Sequence, residues 1–180
     1  FNSATALTSV TITDRFASIG DSAFASCTSL ESVTIPARVA TIGEAAFYGT
    51  VSLANFVIPE GSRLRSIGNS AFNSSGITSF DFSKAPITYV GGYAFQDSAL
   101  TTVSVPGTVT YIGQGAFAYC DDLAYASIPY AGTSAAQASS VANIFGNDTE
   151  SKTDMELVIT AATSISDGAF RGCSYLESIT

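Results

Sequence analysis

Apolar side chains recur along this chain with a period of about 23 residues. Six units open on equivalent apolar residues, and successive openings lie 23 or 24 residues apart; they are Leu7, Leu30, Leu53, Ile77, Leu100 and Leu123. Self-similarity at a fixed period is typical of repeat proteins, in which one unit cannot bury its apolar residues alone and stacks on the next. The pattern therefore predicts a solenoid.

Each unit carries the same order of local signals, most clearly in the second unit. Val33 and Ile35 stand two positions apart, which predicts a short half-buried strand. Pro36 and Gly43 follow, and they indicate a corner. The segment around Phe47 is too short for an independent helix, so we expect a brief helical or 3-10 turn on the outer side.

Stacking should place equivalent side chains in continuous columns. The phenyl column would contain Phe24, Phe47, Phe72, Phe95, Phe117 and Phe170, and a glycine column would contain Gly20, Gly43, Gly68, Gly91 and Gly113. Three cysteines, Cys27, Cys120 and Cys173, share another position and are interpreted as packing residues. Cys27 and Cys120 would lie roughly 19 Å apart at a spacing of ~4.8 Å per coil, too far for a disulfide.

Residues 130–154 depart from the pattern, because this segment is rich in Ala, Ser, Gly and Thr. We favour a separate irregular coil that closes on Val141 and Ile144–Phe145, and the alternative is one coil with a looped insertion. The chain also begins and ends within a repeat, since Phe1 precedes Leu7 as Phe24 precedes Leu30. We therefore expect residues 1–180 to form a single solenoid domain of about seven coils, taken from a longer array.

Composition argues against several classes of function. Seven basic residues are scattered among fifteen acidic ones, for a net charge of −8, which disfavours nucleic acid as a partner. Apolar runs are too short to insert into a membrane. Without histidine, the chain lacks the most common general base and zinc ligand. We predict no enzymatic activity, no cofactor and no metal site; the segment 146–150 lacks the residue order of a calcium loop.

The strand positions between the buried residues should form an open face of small hydroxylated side chains. Its bulkiest members are Asp81 with Lys84 and Tyr125 with Tyr130, which are our candidate partner-binding residues. The competing interpretation is that these hydroxyl groups only favour strands and solubility. Asn73 and Asn147 also match the N-glycosylation sequon, which matters only in a eukaryotic secretory route.

The repeat resembles the Treponema pallidum-type leucine-rich repeat of BspA-like proteins, most clearly from Leu30 to Phe47 and from Leu100 to Cys120. This resemblance implies a right-handed leucine-rich-repeat solenoid of the α/β horseshoe type on a bacterial or protist cell surface. It also implies similarity to adhesins that bind host matrix proteins, other bacteria or carbohydrates. The family shares no catalytic residues, so none is transferred to this chain.

Three hypotheses follow for the function. The first is a non-enzymatic module, at the cell surface or secreted, that binds a protein partner such as host extracellular matrix or another cell surface through its open strand face. The second is a structural spacer or stalk that presents a neighbouring domain. The third is carbohydrate binding near Tyr125 and Tyr130, where exposed rings would stack on sugars.

Overall fold

The chain winds into stacked coils whose strands all pair in parallel. The computed structural model describes residues 1–129, 141–146, 154–161, 169–170 and 173–180. Nearly all of the regular structure consists of short parallel strands, and most strands pair with the equivalent strand of the next coil. The predicted solenoid fold is confirmed.

The strands line two sides of the coils. One side, here called the open sheet, contains β1 (Ser9–Thr11), β3 (Ser32–Thr34) and β5 (Asn55–Val57), followed by β8 (Thr102–Ser104), β10 (Tyr125–Ile128), β11 (Met155–Ile159) and β12 (Leu176–Ile179). The other side, the second sheet, contains β2 (Ser18–Ile19), β4 (Thr41–Ile42), β6 (Ser66–Ile67), β7 (Tyr89–Val90) and β9 (Tyr111–Ile112). We expected one strand and a corner per coil, and the corner itself pairs as a second strand.

The segments around each column phenylalanine, here called the turn segments, form consecutive hydrogen-bonded turns. In the first coil, the N–H groups of Ser22, Phe24 and Ser26 donate to carbonyl groups of the following coil at 2.7 to 2.8 Å. Ser22 and Ser26 have φ angles of 52° and 57°, in the left-handed region, which prevents a continuous helix. Among the described residues, an α-helix occupies this place only in α1 (Val141–Phe145).

A column of stacked phenyl rings runs through the core. Neighbouring rings from Phe1 to Phe117 lie 5.2 to 5.6 Å apart and nearly parallel, in the order Phe1, Phe24, Phe47, Phe72, Phe95 and Phe117. Phe145 continues the column at 5.9 Å from Phe117. Phe170, also expected in the column, packs half-buried against the core. Offset stacking of this kind adds about 1 kcal/mol per pair to the burial of the rings.

The glycine column lets the backbones of adjacent coils approach each other closely. A Cβ atom placed on Gly68 would lie 2.6 Å from the carbonyl carbon of Gly43, and one on Gly91 would lie 2.7 Å from that of Gly68. Real Cβ atoms do not approach backbone atoms so closely. Steric exclusion by the neighbouring coil, more than bending of the corner, is therefore why glycine is needed here. Gly20 is the exception, since its Cβ would meet no atom within 4 Å.

The open sheet is interrupted at the fourth coil. Residues 77–81 of that coil form no strand, and a 3-10 helix, η1 (Phe82–Lys84), follows them. The Asp81 carboxylate accepts a hydrogen bond from the Ser83 N–H at 2.9 Å, so it caps the helix in place of a strand. The second sheet continues through the same coil, where β7 pairs with both β6 and β9.

Residues 141–146 stack on the fifth coil. The Phe117 N–H donates to the Ile144 carbonyl at 2.9 Å, and strand β10 pairs directly with β11. The separate irregular coil at 130–154 stays a prediction, because residues 130–140 and 147–153 lie outside the described residues.

The column that begins at Cys27 is packed inside the solenoid. Cys27 and Cys120 are fully buried, and each thiol donates to a carbonyl of the preceding coil, Phe1 at 3.2 Å and Phe95 at 3.0 Å. The Cys120 sulfur also lies 3.4 Å from the Ser98 hydroxyl oxygen. No disulfide joins Cys27, Cys120 and the half-buried Cys173 to one another, in agreement with their interpretation as packing residues.

Candidate interaction surface

The outward positions of the open sheet form columns of small polar side chains. Ser9, Ser32 and Asn55 are in register across three coils, as are Thr11, Thr34 and Val57, and all six are exposed. The face resumes at β8, where Thr102 and Ser104 are exposed. Ser127 is the exception to the expected face, because only 5% of its surface is exposed.

A groove of about 630 Å³ lies along the first coils of this face. Its lining combines Thr11 and Thr34 from the strands with Asp14, Pro36 and Pro59 from the neighbouring corners. Hydroxyl groups and apolar proline rings therefore share one concave surface. A partner could bury apolar side chains against the prolines while it exchanges hydrogen bonds with the threonines.

Asp81 and Lys84 lie at the start and the end of the 3-10 helix in the fourth coil. The Ser83 hydroxyl donates to the Asp81 carboxylate at 2.6 Å, and this bond is the main reason that the pKa of Asp81 is lowered. The Lys84 ammonium forms an ion pair with the carboxylate of Glu60 in the preceding coil, which raises the pKa of Lys84. Glu60 was not predicted from the sequence, because it lies between Ile58 and Ile67, where the third unit has two residues more than the second unit.

A second groove of about 440 Å³ lies beside Lys84. Phe82, Ser83 and Pro86 of the fourth coil line it, together with Pro106 of the fifth. It exists because a 3-10 helix replaces the strand at this level. Of the two charged residues predicted from the sequence, Lys84 lines this groove, and Asp81 directly precedes Phe82 in the chain.

Tyr125 begins strand β10, where it is in register with Thr102 on one side and Glu156 on the other. Its side chain is half-buried. Tyr130, its expected companion, lies outside the described residues. Along the open sheet, Tyr125 and Asp81 belong to different coils, with β8 between them. Tyr125 is therefore separated from Asp81 and Lys84 by the fifth coil.

Within the described segments, no group of three or more metal-ligating side chains comes together. In the same segments, no helix has the length and apolar character needed to cross a membrane.

Comparison with known proteins agrees with this geometry. The family model of the BspA-type leucine-rich repeat region matches six copies of the repeat over residues 1–124. A crystal structure of a leucine-rich repeat protein from T. pallidum is similar over 96% of this chain and 68% of that chain, with 27% identity and a TM-score of 0.62. No sequence among the curated proteins matches.

Two further crystal structures are similar. A leucine-rich cell surface protein from Faecalibacterium prausnitzii is 26% identical, over 91% of this chain and 42% of that chain, with a TM-score of 0.58. A leucine-rich repeat protein from Bacteroides ovatus shares the fold at 19% identity, over 91% of this chain and 40% of that chain, with a TM-score of 0.53. The molecule is a leucine-rich-repeat solenoid. Since the family model matches more than half of its length, the chain belongs to the BspA-type leucine-rich repeat family.

Proposed function

We propose that this chain is a non-enzymatic protein-binding module, located at the cell surface or secreted, that binds its partner through the open sheet. The main support is the exposed face itself, because its in-register columns of small polar residues are bordered by two grooves. The cell surface location described for the F. prausnitzii protein supports the proposed location. We further propose that residues 1–180 act as one solenoid domain of about seven coils, with an irregular coil at 130–154.

Asp81, Lys84 and Tyr125 are the proposed contact residues on this face. Asp81 is exposed beside the groove of the fourth coil, and Lys84 lines that groove. Tyr125 provides the largest ring on the regular part of the face, and tyrosine is enriched at the energetic centres of interfaces. Tyr130 stays a prediction as the companion of Tyr125.

The experiment measures binding of the purified chain to immobilised fibronectin, fibrinogen and collagen by surface plasmon resonance. We expect Tyr125→Ala to weaken binding of the recognised protein by at least about tenfold, as loss of an interface tyrosine does. Lys84→Gln and Asp81→Asn should each weaken it by a few-fold and lower its dependence on salt. Asn is chosen at position 81 because it keeps an oxygen that can cap the 3-10 helix.

Glu44→Gln is the matched control, because Glu44 is an exposed acidic residue in a turn segment and not on the open sheet. Its affinity should equal that of the unsubstituted chain. Equal loss of affinity in the control and in the open-sheet variants would contradict the proposed surface, and so would unchanged affinity in all of them.

A stalk is the second candidate, and the continuous phenyl column favours it. Rings that stack coil upon coil, with hydrogen bonds between all neighbouring turn segments, make a stiff rod. A full-length protein that binds its partner undiminished after deletion of residues 1–180 would support the stalk and exclude the binding module.

A further inference from the structure

Two tyrosine rings stack on the exposed side of the second sheet. Tyr89 in β7 and Tyr111 in β9 are in register, and their ring centroids lie 4.8 Å apart with planes only 5° from parallel. Tyr89 remains 38% exposed, and Tyr111 is half-buried. The pair lies on a different side of the solenoid from the open sheet and has no part in the function proposed above.

One face of the Tyr89 ring is left open by the coil that precedes it. Tyr111 covers the other face, and the residue in register on the open side is Ser66 of β6. A serine side chain is too short to cover a phenol ring. Because neighbouring coils are ~4.8 Å apart, the space above Ser66 can hold one flat ring stacked on Tyr89.

Two basic residues lie just before Ser66 in the chain, in a protein that is acidic overall. Arg65 precedes Ser66 and is exposed, and its carbonyl accepts the Tyr89 N–H at 3.2 Å. Arg63 is exposed two residues earlier. The described residues show no carboxylate within ion-pair distance of either guanidinium group, and neither group covers the Tyr89 ring. Two cations this close along the chain to Ser66, the residue in register with Tyr89, complement a ring that carries negative charge.

Neutral residues occupy the equivalent acidic position in the coils around the tyrosine pair. The position after the column glycine holds Asp21 and Glu44 in the first two coils, but Asn69, Gly92 and Gln114 in the next three. The carboxylates that would repel an anion are therefore replaced by neutral groups on the coils around the tyrosine pair. Ser66 and the exposed Thr41 add hydroxyl groups beside the space.

We propose that Tyr89, backed by Tyr111, binds a carboxylated sugar whose pyranose ring stacks on its open face while Arg65 binds the carboxylate. Stacking on tyrosine favours the apolar face of a sugar ring, and the planar guanidinium matches a carboxylate through two hydrogen bonds. Uronic acids and sialic acids share this chemistry. An acidic peptide would satisfy the arginines but would leave the tyrosine face without a flat ring.

The test uses two matched pairs of probes, 3′-sialyllactose against lactose and trigalacturonate against galactotriose, titrated into the whole chain. Because the chain has eight tyrosines and no tryptophan, tyrosine fluorescence reports ring contacts, and isothermal titration calorimetry gives the affinity. We expect at least one carboxylated sugar to bind about tenfold more tightly than its neutral counterpart, with affinity falling as salt is added. The pair that binds identifies the source of the carboxylate.

Substitutions then locate the site. Tyr89→Ala should lower affinity by at least about tenfold, Arg65→Gln by about tenfold and Tyr111→Ser by a few-fold, since Tyr111 only supports the Tyr89 ring. Tyr119→Ala and Arg15→Gln are the matched controls, because Tyr119 is 46% exposed without a partner ring in the described contacts and Arg15 is exposed in the first coil. Both should bind as the unsubstituted chain does.

Three results would overturn this proposal: no binding of any carboxylated probe, equal binding of a neutral counterpart, or equal losses in the controls. An acidic peptide such as hexaglutamate that competes as well as the sugars would overturn it too. Circular dichroism of each variant establishes that it is folded. None of these results bears on binding by the open sheet, so the two proposals can fail independently.

Discussion

The open sheet and the second sheet pass through the same coils, but only the second sheet continues unbroken from the first coil to the fifth. In the open sheet, β5 and β8 are separated by the fourth coil, where residues 77–81 form no strand. In the second sheet, β7 of the same coil pairs on both sides. One coil can therefore keep its place in the solenoid while one of its two strands is lost.

The difference arises from what holds each side together. The second sheet depends on glycines whose backbones lie so close to the neighbouring coil that no side chain fits between them. In the open sheet of the fourth coil, the Asp81 carboxylate accepts the Ser83 N–H and provides a local alternative to strand pairing. Phe56, Phe80 and Phe82 pack against the phenyl column at this level, so the core remains filled despite the missing strand.

The largest expected effect on stability comes from removing a phenyl ring from the core column. Phe72 is fully buried, and it stacks on Phe47 and Phe95 at 5.2 Å each. Phe72→Ala should lower the free energy of unfolding by about 3 to 5 kcal/mol, measured by urea denaturation. Phe16→Ala is the control, because Phe16 is 56% exposed, and its effect should be well under half as large. Similar losses in both variants would mean that the column does not carry the stability of the core.

A smaller effect is expected when only the second sheet is changed. A Cβ atom on Gly68 would lie 2.6 Å from the Gly43 carbonyl carbon, so Gly68→Ala should force adjacent coils apart and destabilise the chain by about 2 kcal/mol. Gly20→Ala has open space and should change little. Urea denaturation gives the free energy of unfolding of both variants. Equal values would show that close approach of the coils is not what requires glycine.

The 3-10 helix that replaces a strand of the open sheet can be tested by changing Asp81, which caps it. Asp81→Ala should destabilise the chain by about 1 kcal/mol, and Asp81→Asn by less, since Asn retains an acceptor oxygen. The hydrogen bonds from Ser83 lower the pKa of Asp81, so its contribution is present above the ordinary pKa of an aspartate and is lost as the pH falls through the lowered value.

The stability difference between the unsubstituted chain and Asp81→Asn should therefore shrink as the pH falls below about 4. Thermal or urea unfolding across roughly pH 2 to 7 gives that difference directly. A difference that is independent of pH would show that the carboxylate charge does not contribute to the cap.

The smallest effect is expected in the buried column that begins at Cys27, where Thr50 and Ser75 occupy the next two coils. The Ser75 hydroxyl is buried, and no acceptor or donor among the described residues bonds to it, whereas the Thr50 hydroxyl donates to the Phe47 carbonyl at 2.7 Å. Ser75→Ala should be neutral or stabilise the chain by up to about 1 kcal/mol, and Thr50→Val should destabilise it by about 1 kcal/mol. Urea denaturation that showed a loss for both would indicate that Ser75 has a partner.

Periodicity in the sequence was sufficient to predict the solenoid, the phenyl column and the exposed face, because each follows from equivalent residues that face the same way in every coil. It did not predict the second strand of each coil. Two-residue strands such as Thr41–Ile42 have no alternation long enough to recognise, and they form only because the neighbouring coil offers the same backbone groups in register.

The contacts within the candidate surface were harder to predict from the sequence. The capping by Asp81 depends on Ser83 two residues later, a local preference that competes with the repeat. The ion pair of Lys84 with Glu60 joins two coils at a corner that contains extra residues, so the spacing gave no hint of it. The stacking of Tyr89 on Tyr111 follows from the repeat register, since both tyrosines occupy the position of Thr41 in adjacent coils.

The turn segments give one flank of the solenoid an electrical polarity. In each described coil, their N–H groups donate toward the following coil, as Ser22 does to Glu44 and Phe117 does to Ile144. The peptide dipoles on that flank therefore align along the long axis, and every additional repeat lengthens the row. As in an α-helix, partial negative charge gathers at the end of the row nearest Phe1 and partial positive charge at the opposite end. This polarity belongs to the flank of the turn segments, because N–H groups beside the second sheet, such as those of Gly68 and Gly91, donate toward the preceding coil.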